Sequence, residues 1–208
     1  MKRVLFTQRV ELVEAYKERR DCADQRIAEY INSCGFLPVP IPNCVQFAEQ
    51  YIQELHPSGL ILTGGNSLEK YGGNAPDRDE TEVRLLELAV KYRMPVFGFC
   101  RGMQVILDFF GCDLIEVKDH AAVRHEVYSG LKMREVNSYH NQACIELPES
   151  SGLLAVAKAE DGVIEAVRHK KLPIAGVMWH PEREPVFTAY DQEIIRKMFG
   201  EIQNGGEQ

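Results

Sequence analysis

The sequence has no long apolar run and no block of basic residues. No stretch approaches the ~20 apolar residues that cross a bilayer, and the short apolar run near the N-terminus does not form a signal peptide. Acidic side chains outnumber basic ones, 31 to 24, for a net charge of −7. These features argue against a membrane protein and against general nucleic-acid binding. They predict a cytoplasmic protein, and a nucleotide as a small ligand stays open.

Common metal-binding and disulfide patterns are also missing. The six cysteines are widely spaced, and neither Cys-x-x-Cys nor His-Glu-x-x-His occurs. In a chain of this length without a targeting segment, we expect reduced thiols. His120 and His125 could form a metal site, but we favour loop histidines at both positions. We therefore expect no metal and no organic cofactor.

Short apolar runs alternate with helical patterns in the first half of the chain. The runs lie at residues 4–6, 36–41, 59–62 and 95–99, with helical patterns near 23–31, 47–55 and 80–90. This alternation predicts one α/β domain over residues 1–208, with an open, mostly parallel sheet and helices on both faces. Asp79 is placed to cap the third helix. Residues 112–167 indicate short strands and turns, followed by a strand at 174–178, a helix near 190–202 and a loose tail at 203–208.

One predicted turn carries a thiol between two glycines. Cys100 follows an apolar strand, and Gly98 and Gly102 leave room for a sharp strand-to-helix turn. The N-terminus of the next helix would stabilise a thiolate. Cysteine is also a common buried residue, so the turn alone leaves a structural cysteine open.

A histidine and a carboxylate follow the last predicted strand, two residues apart. His180 could accept the thiol proton and later protonate a leaving group, while Glu182 would hold the ring in the useful tautomer. Pro181 stiffens the turn between them. Taken singly, His180 could be structural and Glu182 an ordinary surface charge. Together with Cys100, they predict a nucleophilic Cys-His-Glu triad.

These motifs resemble those of the class I glutamine amidotransferase-like enzymes, which have a flavodoxin-like fold. Four further segments resemble the branch of free-standing γ-glutamyl hydrolases, which includes γ-glutamyl-γ-aminobutyrate hydrolases: residues 63–66, 77–79, 136–142 and 160–166. The resemblance runs from about residue 4 to residue 182. It implies hydrolysis of a γ-glutamyl amide through a γ-glutamyl thioester on Cys100, releasing glutamate and an amine or a phosphoramidate.

Two backbone amides are the predicted oxyanion-hole donors. They belong to Arg101, which follows the nucleophile, and to Gly65, in a glycine pair that can approach the substrate closely. Gly64 is expected to line the substrate site. A simple turn at the end of a strand is the alternative interpretation of Gly64 and Gly65.

The resemblance also implies where the glutamyl group binds. It places Gln104 beside the α-amino and α-carboxylate groups, with the backbone of Asn137, Ser138 and Tyr139 on the other side. A solvated helix residue and a polar loop are the alternatives. His140 lacks an adjacent carboxylate, so we expect a structural or substrate-facing residue there.

Arginines follow the first predicted strand. Guanidinium groups suit phosphate oxygens, so Arg9, Arg19 and Arg20 are candidate phosphate ligands. A solvated charged segment running into a helix is the alternative. Residues 7–9 and 18–20 resemble the opening of the short hydrolases that cleave γ-glutamyl-CDP-amidate during phosphoramidate modification of capsular polysaccharide.

Other functions stay open beside this hypothesis. The chain could be a glutaminase subunit that supplies ammonia to a separate synthase, a γ-glutamyl-γ-aminobutyrate hydrolase in polyamine breakdown, or a binding module without activity. The expected partner is a small γ-glutamyl substrate, and a homodimer stays open.

Overall fold

The computed structural model describes residues 1–200. In this range the strands are β1 (Arg3–Phe6), β2 (Arg9–Val13), β3 (Glu18–Cys22), β4 (Leu37–Pro40), β5 (Gly59–Leu62), β6 (Val96–Phe99), β7 (Ile115–Glu116), β8 (Ala121–Ser129), β9 (Lys132–Tyr139), β10 (Gln142–Ala143), β11 (Leu153–Ala159), β12 (Ile164–His169) and β13 (Ile174–Val177). The α-helices are α1 (Gln25–Ser33), α2 (Ala48–Leu55), α3 (Pro76–Tyr92), α4 (Arg101–Phe109) and α5 (Ala189–Gly200). The predicted tail at 203–208 and the predicted helix end at 201–202 lie outside the described residues.

A nine-stranded sheet runs through the described part of the chain, in the order β4-β1-β5-β6-β13-β12-β11-β8-β9. The first five strands in this order, β4, β1, β5, β6 and β13, pair in parallel. The remaining four, β12, β11, β8 and β9, extend the sheet with antiparallel pairs. The predicted open α/β sheet with helices on both faces is confirmed. Within residues 1–200, no helix has both the length and the apolar character to span a membrane.

Side chains of the parallel strands alternate between two hydrophobic cores. In β1, Val4 and Phe6 pack on the side of α1 and α5, whereas Leu5 packs on the side of α2, α3 and α4. In β5, Leu60 and Ile61 divide in the same way between the two cores. Because both faces are covered, these strands appear in the sequence as continuous apolar runs.

The carboxyl ends of the parallel strands meet at one edge of the sheet. β1, β5, β6 and β13 are neighbours with the same direction, so the residues that follow them converge. Gly64 and Gly65 follow β5, Cys100 follows β6, and His180 follows β13. Ligand sites of open parallel sheets lie at this edge.

The segment between β1 and α1 is a β-hairpin, so the loop expected after the first strand was wrong. β2 and β3 pair with Arg9 opposite Cys22 and Leu12 opposite Arg19. The hairpin is attached to the loop after β5, because the Asn66 side chain accepts a hydrogen bond from the Val10 amide at 2.9 Å and donates one to its carbonyl at 3.0 Å. The Asn66 side chain therefore forms the two backbone hydrogen bonds with Val10 that a neighbouring strand would otherwise form.

The predicted helix cap at Asp79 was also wrong. α3 begins at Pro76, where the missing N–H of proline costs nothing in the first turn. Asp79 lies inside the helix, and its carboxylate accepts a hydrogen bond from the Glu69 amide at 2.7 Å and pairs with Arg101. The side chain therefore links three segments instead of capping one helix.

Of the two histidines predicted in loops, His120 lies in a loop and His125 lies in a strand. His125 is within β8, and His120 immediately precedes that strand with only 3% of its surface exposed.

Candidate active site

Cys100 lies on a strained turn between β6 and α4. Its φ of 51° and ψ of −115° are unusual for a residue with a side chain. A Cβ on Gly98 would lie 2.5 Å from the carbonyl carbon and oxygen of Gly102, and a Cβ on Gly102 would collide with the Leu62 carbonyl. The two glycines are therefore required for strand and helix to approach this closely. The turn has the geometry of a nucleophile elbow.

His180 is held from two sides. Its Nδ1 lies 2.6 Å from Oε1 of Glu182, and both side chains are almost fully buried. Its backbone is held by Asn137, whose amide nitrogen donates to the His180 carbonyl at 2.9 Å and whose amide oxygen accepts from the His180 N–H at 2.8 Å. The Asn137 side chain therefore positions the histidine, a role that the sequence did not reveal.

Cys100 and Glu182 shift the protonation of His180. Burial lowers the pKa of His180, but the adjacent Cys100 and the hydrogen-bonded Glu182 outweigh burial and raise the pKa to about 9. The ring is therefore an imidazolium at neutral pH. An imidazolium beside a thiol favours the thiolate, which is the nucleophilic form of cysteine.

A cavity of about 430 Å³ opens in front of Cys100. Six of the residues selected from the sequence line it: Gly65, Cys100, Arg101, Gln104, Tyr139 and His180. The walls also include residues that sequence analysis had not selected as site residues: Asn66, Ser67, Glu116, His140, Asn141, Gln142 and Arg183. Gly64 lines a smaller, adjoining cavity together with Arg9 and Glu182.

The side chains of Asn137 and Ser138 do not line the larger cavity. Both residues are buried, and the Ser138 hydroxyl donates a hydrogen bond to the His120 carbonyl at 2.5 Å. Tyr139 does line the cavity, with its ring 5.5 Å from the His180 ring and nearly perpendicular to it. The segment therefore supports His180 from behind through Asn137 and borders the cavity through Tyr139.

A fully buried arginine determines how the glycine loop is oriented. The Arg78 guanidinium donates hydrogen bonds to the carbonyls of Thr63 at 2.7 Å, Gly64 at 3.1 Å and Gly65 at 2.5 Å. In a trans peptide the C=O of Gly64 and the N–H of Gly65 point in opposite directions. The Gly65 amide therefore faces away from Arg78, as an oxyanion-hole donor would require.

Buried ion pairs connect the glycine loop with the elbow. Glu82 accepts a hydrogen bond from Arg78 at 2.9 Å and pairs on its other oxygen with Arg101, which also pairs with Asp79. Burial raises the pKa of Glu82, but Arg101 and Arg78 lower it below its ordinary value, so the group is a carboxylate. The backbone N–H of Arg101 lies at the first position of α4, where no carbonyl of the helix can accept a hydrogen bond from it.

The three candidate phosphate ligands do not converge. The alternation of side chains in the hairpin places Arg9 and Arg20 on one face and Arg19 on the other. Arg19 pairs with Asp77 at 2.5 Å, and Arg20 pairs with Glu18 at 2.5 Å. Arg9 alone lines the cavity that Gly64 and His180 border, and its nearest carboxylate lies 3.5 Å away.

Comparison with known proteins identifies the family. The profile described as "Glutamine amidotransferase class-I" matches residues 19–202. The chain belongs to the class I glutamine amidotransferase family. The predicted family is therefore confirmed.

Relatives within the family have different names. A γ-glutamyl-CDP-amidate hydrolase from Campylobacter jejuni is 33% identical over 184 residues, covering 86% of this chain and 89% of that protein. A subunit of a glutamine-hydrolysing GMP synthase from Pyrococcus abyssi is 33% identical over 177 residues, covering 78% of this chain and 85% of that protein. The fold resembles a solved structure of a candidate GMP synthase subunit from Thermoplasma acidophilum, with a TM-score of 0.70, 22% identity and coverage of 96% and 94%. The family and these relatives support a hydrolase.

Loss of the Arg78 side chain should destabilise the protein strongly. In Arg78→Met, Glu82 loses one buried partner and the three loop carbonyls lose their donor, so we expect a decrease of roughly 3–5 kcal/mol in the free energy of unfolding. The matched control is Arg84→Met on the same helix, where an exposed arginine pairs with Glu49 and Glu87. Chemical denaturation of both variants measures the difference. Equal stability of the two variants would contradict the assigned role of Arg78.

The raised pKa of His180 should make stability depend on pH. A group that holds its proton more tightly in the folded protein contributes stability below its unfolded pKa of ~6.5. That contribution disappears as the pH rises through the folded pKa of about 9. Denaturation between pH 6 and 10 should show a decline that is larger in wild type than in His180→Asn, where the raised pKa of His120 still contributes. His169→Asn is the control, because burial lowers the pKa of His169, and its curve should keep the decline.

Proposed function

We propose that this protein hydrolyses a γ-glutamyl amide bond through a γ-glutamyl thioester on Cys100. One observation carries the proposal: the strained elbow presents Cys100 beside the buried His180–Glu182 pair, at the wall of a cavity of about 430 Å³. A thiol, a base and an orienting carboxylate are the groups that acyl transfer needs.

In the first half of the proposed reaction, the amide is cleaved. The Cys100 thiolate attacks the γ-carbonyl carbon, and the carbonyl oxygen becomes an oxyanion facing the amides of Gly65 and Arg101. As the oxyanion collapses, the C–N bond breaks and the imidazolium of His180 gives its proton to the leaving nitrogen. The products of this half are a thioester, a free amine or phosphoramidate and a neutral imidazole.

In the second half, water replaces the leaving group. The neutral His180 removes a proton from water, and the hydroxide attacks the thioester carbon. Collapse of the second oxyanion breaks the C–S bond and releases glutamate. The thiolate and the imidazolium are thereby restored, so no metal or organic cofactor enters the reaction.

The larger cavity suits the charged end of a glutamyl group. Glu116 and Arg183 line it with opposite charges, and the Arg183 guanidinium lies 4.5 Å from the centre of the Tyr139 ring. An α-ammonium and an α-carboxylate would find one partner each. Gln104 adds an amide that donates to the Gln142 carbonyl at 2.8 Å, so its oxygen stays available to a ligand.

On the leaving side, we propose a phosphate or nucleotide group that Arg9 contacts. The Arg9 side chain packs against the glycine loop, where a Cβ on Gly65 would lie 3.3 Å from it. Arg20 lies on the same face of the hairpin, two strand positions away from Arg9. The likeness to the γ-glutamyl-CDP-amidate hydrolase supports this substrate. A role in capsule modification rests on the same likeness.

A second function is favoured by a different likeness. The identity of 33% with the GMP synthase subunit from Pyrococcus abyssi supports a glutaminase that passes ammonia to a separate synthase. The same triad would then act on glutamine itself. The two functions differ in what the isolated chain hydrolyses, because a glutaminase subunit uses glutamine, whereas the proposed hydrolase prefers a larger leaving group.

Substitutions in the triad should separate the three roles. We expect Cys100→Ser and His180→Asn to lose roughly 10⁴-fold or more in kcat, and Glu182→Gln to lose less, because orienting the ring matters less than supplying it. Steady-state rates on a γ-glutamyl amide measure this. Cys44→Ser is the matched control and should retain full activity, and iodoacetamide should label Cys100 first. A nearly normal rate in His180→Asn would rule out the triad.

Arg9 should discriminate between charged and uncharged leaving groups. For γ-glutamyl-CDP-amidate, Arg9→Ala should reduce kcat/KM by a factor equivalent to roughly 1.5–3 kcal/mol, the range of charge-assisted hydrogen bonds, while an uncharged γ-glutamyl amide is little affected. Arg19→Ala, on the opposite face of the hairpin, is the control and should behave as wild type. If glutamine or γ-glutamyl-γ-aminobutyrate proves the best substrate of the wild type, the phosphate-binding proposal fails.

A further inference from the structure

Three histidines converge on one carboxylate next to the candidate active site, whose cavity wall includes one of them, His140. Oε1 of Glu165 lies 3.2 Å from Nδ1 of His120, 3.5 Å from Nε2 of His125 and 3.3 Å from Nε2 of His140. We call these four residues the histidine cluster. Glu165 lies in β12 and His125 in β8, while His120 immediately precedes β8 and His140 immediately follows β9. The proposed reaction uses none of these side chains.

The histidine cluster is buried, and several of its nitrogen and oxygen atoms lack a hydrogen-bond partner within residues 1–200. His140 and Glu165 have no exposed side-chain surface, and His120 is 3% exposed. Among the described residues, neither oxygen of Glu165 has a hydrogen bond of acceptable geometry. A buried carboxylate without such bonds is costly unless a cation lies against it.

The spacing matches the edges of a metal coordination polyhedron. Zinc binds imidazole nitrogen and carboxylate oxygen at about 2.0–2.2 Å, so two ligands of a tetrahedral ion lie about 3.3–3.5 Å apart. The three N···O distances of the cluster are 3.2, 3.3 and 3.5 Å. The donor atoms of His120, His140 and Glu165 all lie within 4.8 Å of one another. A central ion that contacts all three would draw the most separated pair of these atoms together, to about 3.3–3.5 Å.

A second carboxylate orients the first ligand. Oδ2 of Asp161 lies 2.9 Å from Nε2 of His120, which favours the tautomer with its proton on that nitrogen. With Zn²⁺ bound, Nδ1 of His120 would present its lone pair to the ion, which would lie between this nitrogen and Glu165. Metal-binding histidines almost always donate their other N–H to a carboxylate, a carbonyl or water in this way.

An acidic cleft gives access to the histidine cluster. It is lined by His120 and His125 together with four carboxylates, from Asp119, Glu126, Glu160 and Asp161. A single lysine, Lys118, opposes them. A divalent cation would be attracted along this route, and the cleft supplies the path of entry that a buried site requires.

We propose that His120, His140 and Glu165 bind a divalent transition-metal ion of the Zn²⁺ type, with His125 as the fourth ligand. The site would be structural. It joins β8, β9 and β12 next to the active-site cavity, and β9 carries Asn137 and Tyr139, which support and border His180. The inference is independent of the substrate and of the proposed reaction.

A proton is the competing occupant. Without a metal ion, a proton on Nδ1 of His120 would lie between this nitrogen and Oε1 of Glu165, which are 3.2 Å apart. Binding of Zn²⁺ must displace that proton, so calorimetry in buffers of different ionisation enthalpy should register about one proton released per ion.

The test measures metal binding directly. The full chain is stripped with a chelator and titrated with Zn²⁺, and Co²⁺ is used in parallel because tetrahedral Co²⁺ has intense visible absorption. Cys100→Ser serves as the background in both titrations, since a thiolate beside His180 could itself bind zinc. We expect one equivalent bound, a tetrahedral Co²⁺ spectrum and a higher Tm with metal.

Variants decide whether the histidine cluster is the site. Glu165→Gln and His140→Asn should lose the bound equivalent, and Asp161→Asn should weaken the affinity by about 10- to 100-fold. Asp161 is half-exposed, so its variant should fold even if the buried ligand variants fail. His169→Asn is the control and should bind as the background does. The proposal would be overturned if the Cys100→Ser protein failed to bind the metal ion. It would also be overturned if Asp161→Asn and Glu165→Gln left the affinity unchanged. A proton would then be the cation beside Glu165.

Discussion

The left-handed backbone of Cys100 is the constraint on which the candidate site depends. An L residue in this conformation costs about 1–3 kcal/mol and persists only where the surroundings impose it. The surroundings here are main chain: Gly98 of β6 contacts Gly102 of α4, and Gly102 contacts the Leu62 carbonyl of β5. The thiol is therefore positioned by the approach of a helix to two strands. Its place does not depend on contacts of its own side chain.

Buried charges extend this arrangement to the glycine loop. Arg78 and Arg101 share Glu82, so the loop that follows β5 and the helix that follows Cys100 are tied to the same carboxylate. Two arginines are balanced by Glu82 and Asp79, so the network carries no net charge. Burial of such groups stabilises a protein little by itself. Its consequence is geometric, because the peptide of Gly64 and Gly65 and the first amide of α4 are oriented by one set of ion pairs.

Local patterns were sufficient for the parts of the site that a few adjacent residues encode. The glycines around Cys100, and the Pro181 and Glu182 that follow His180, are close in the sequence, and the parallel strands are continuous apolar runs. The hairpin was missed because only Val10 of its ten strand residues is buried, so the period-two apolar pattern of a strand is absent. The roles of Arg78 and Asn137 were missed for another reason: the Asn137 side chain holds a residue 43 positions away, and one sequence contains no signal for such contacts.

The division of the site into two cavities follows from where His180 lies. His180, Gly65 and Arg183 line both cavities, so the imidazole stands at their junction. In the proposed reaction the same ring first protonates the leaving nitrogen and then takes a proton from the attacking water. The water must therefore approach the carbonyl from the side that the leaving nitrogen has vacated. The glutamyl group then occupies the larger cavity, and the leaving group lies towards the smaller one, where Arg9 of the hairpin forms a wall. Specificity for the leaving group would thus reside in the hairpin, and the chemistry in the strand ends of the sheet.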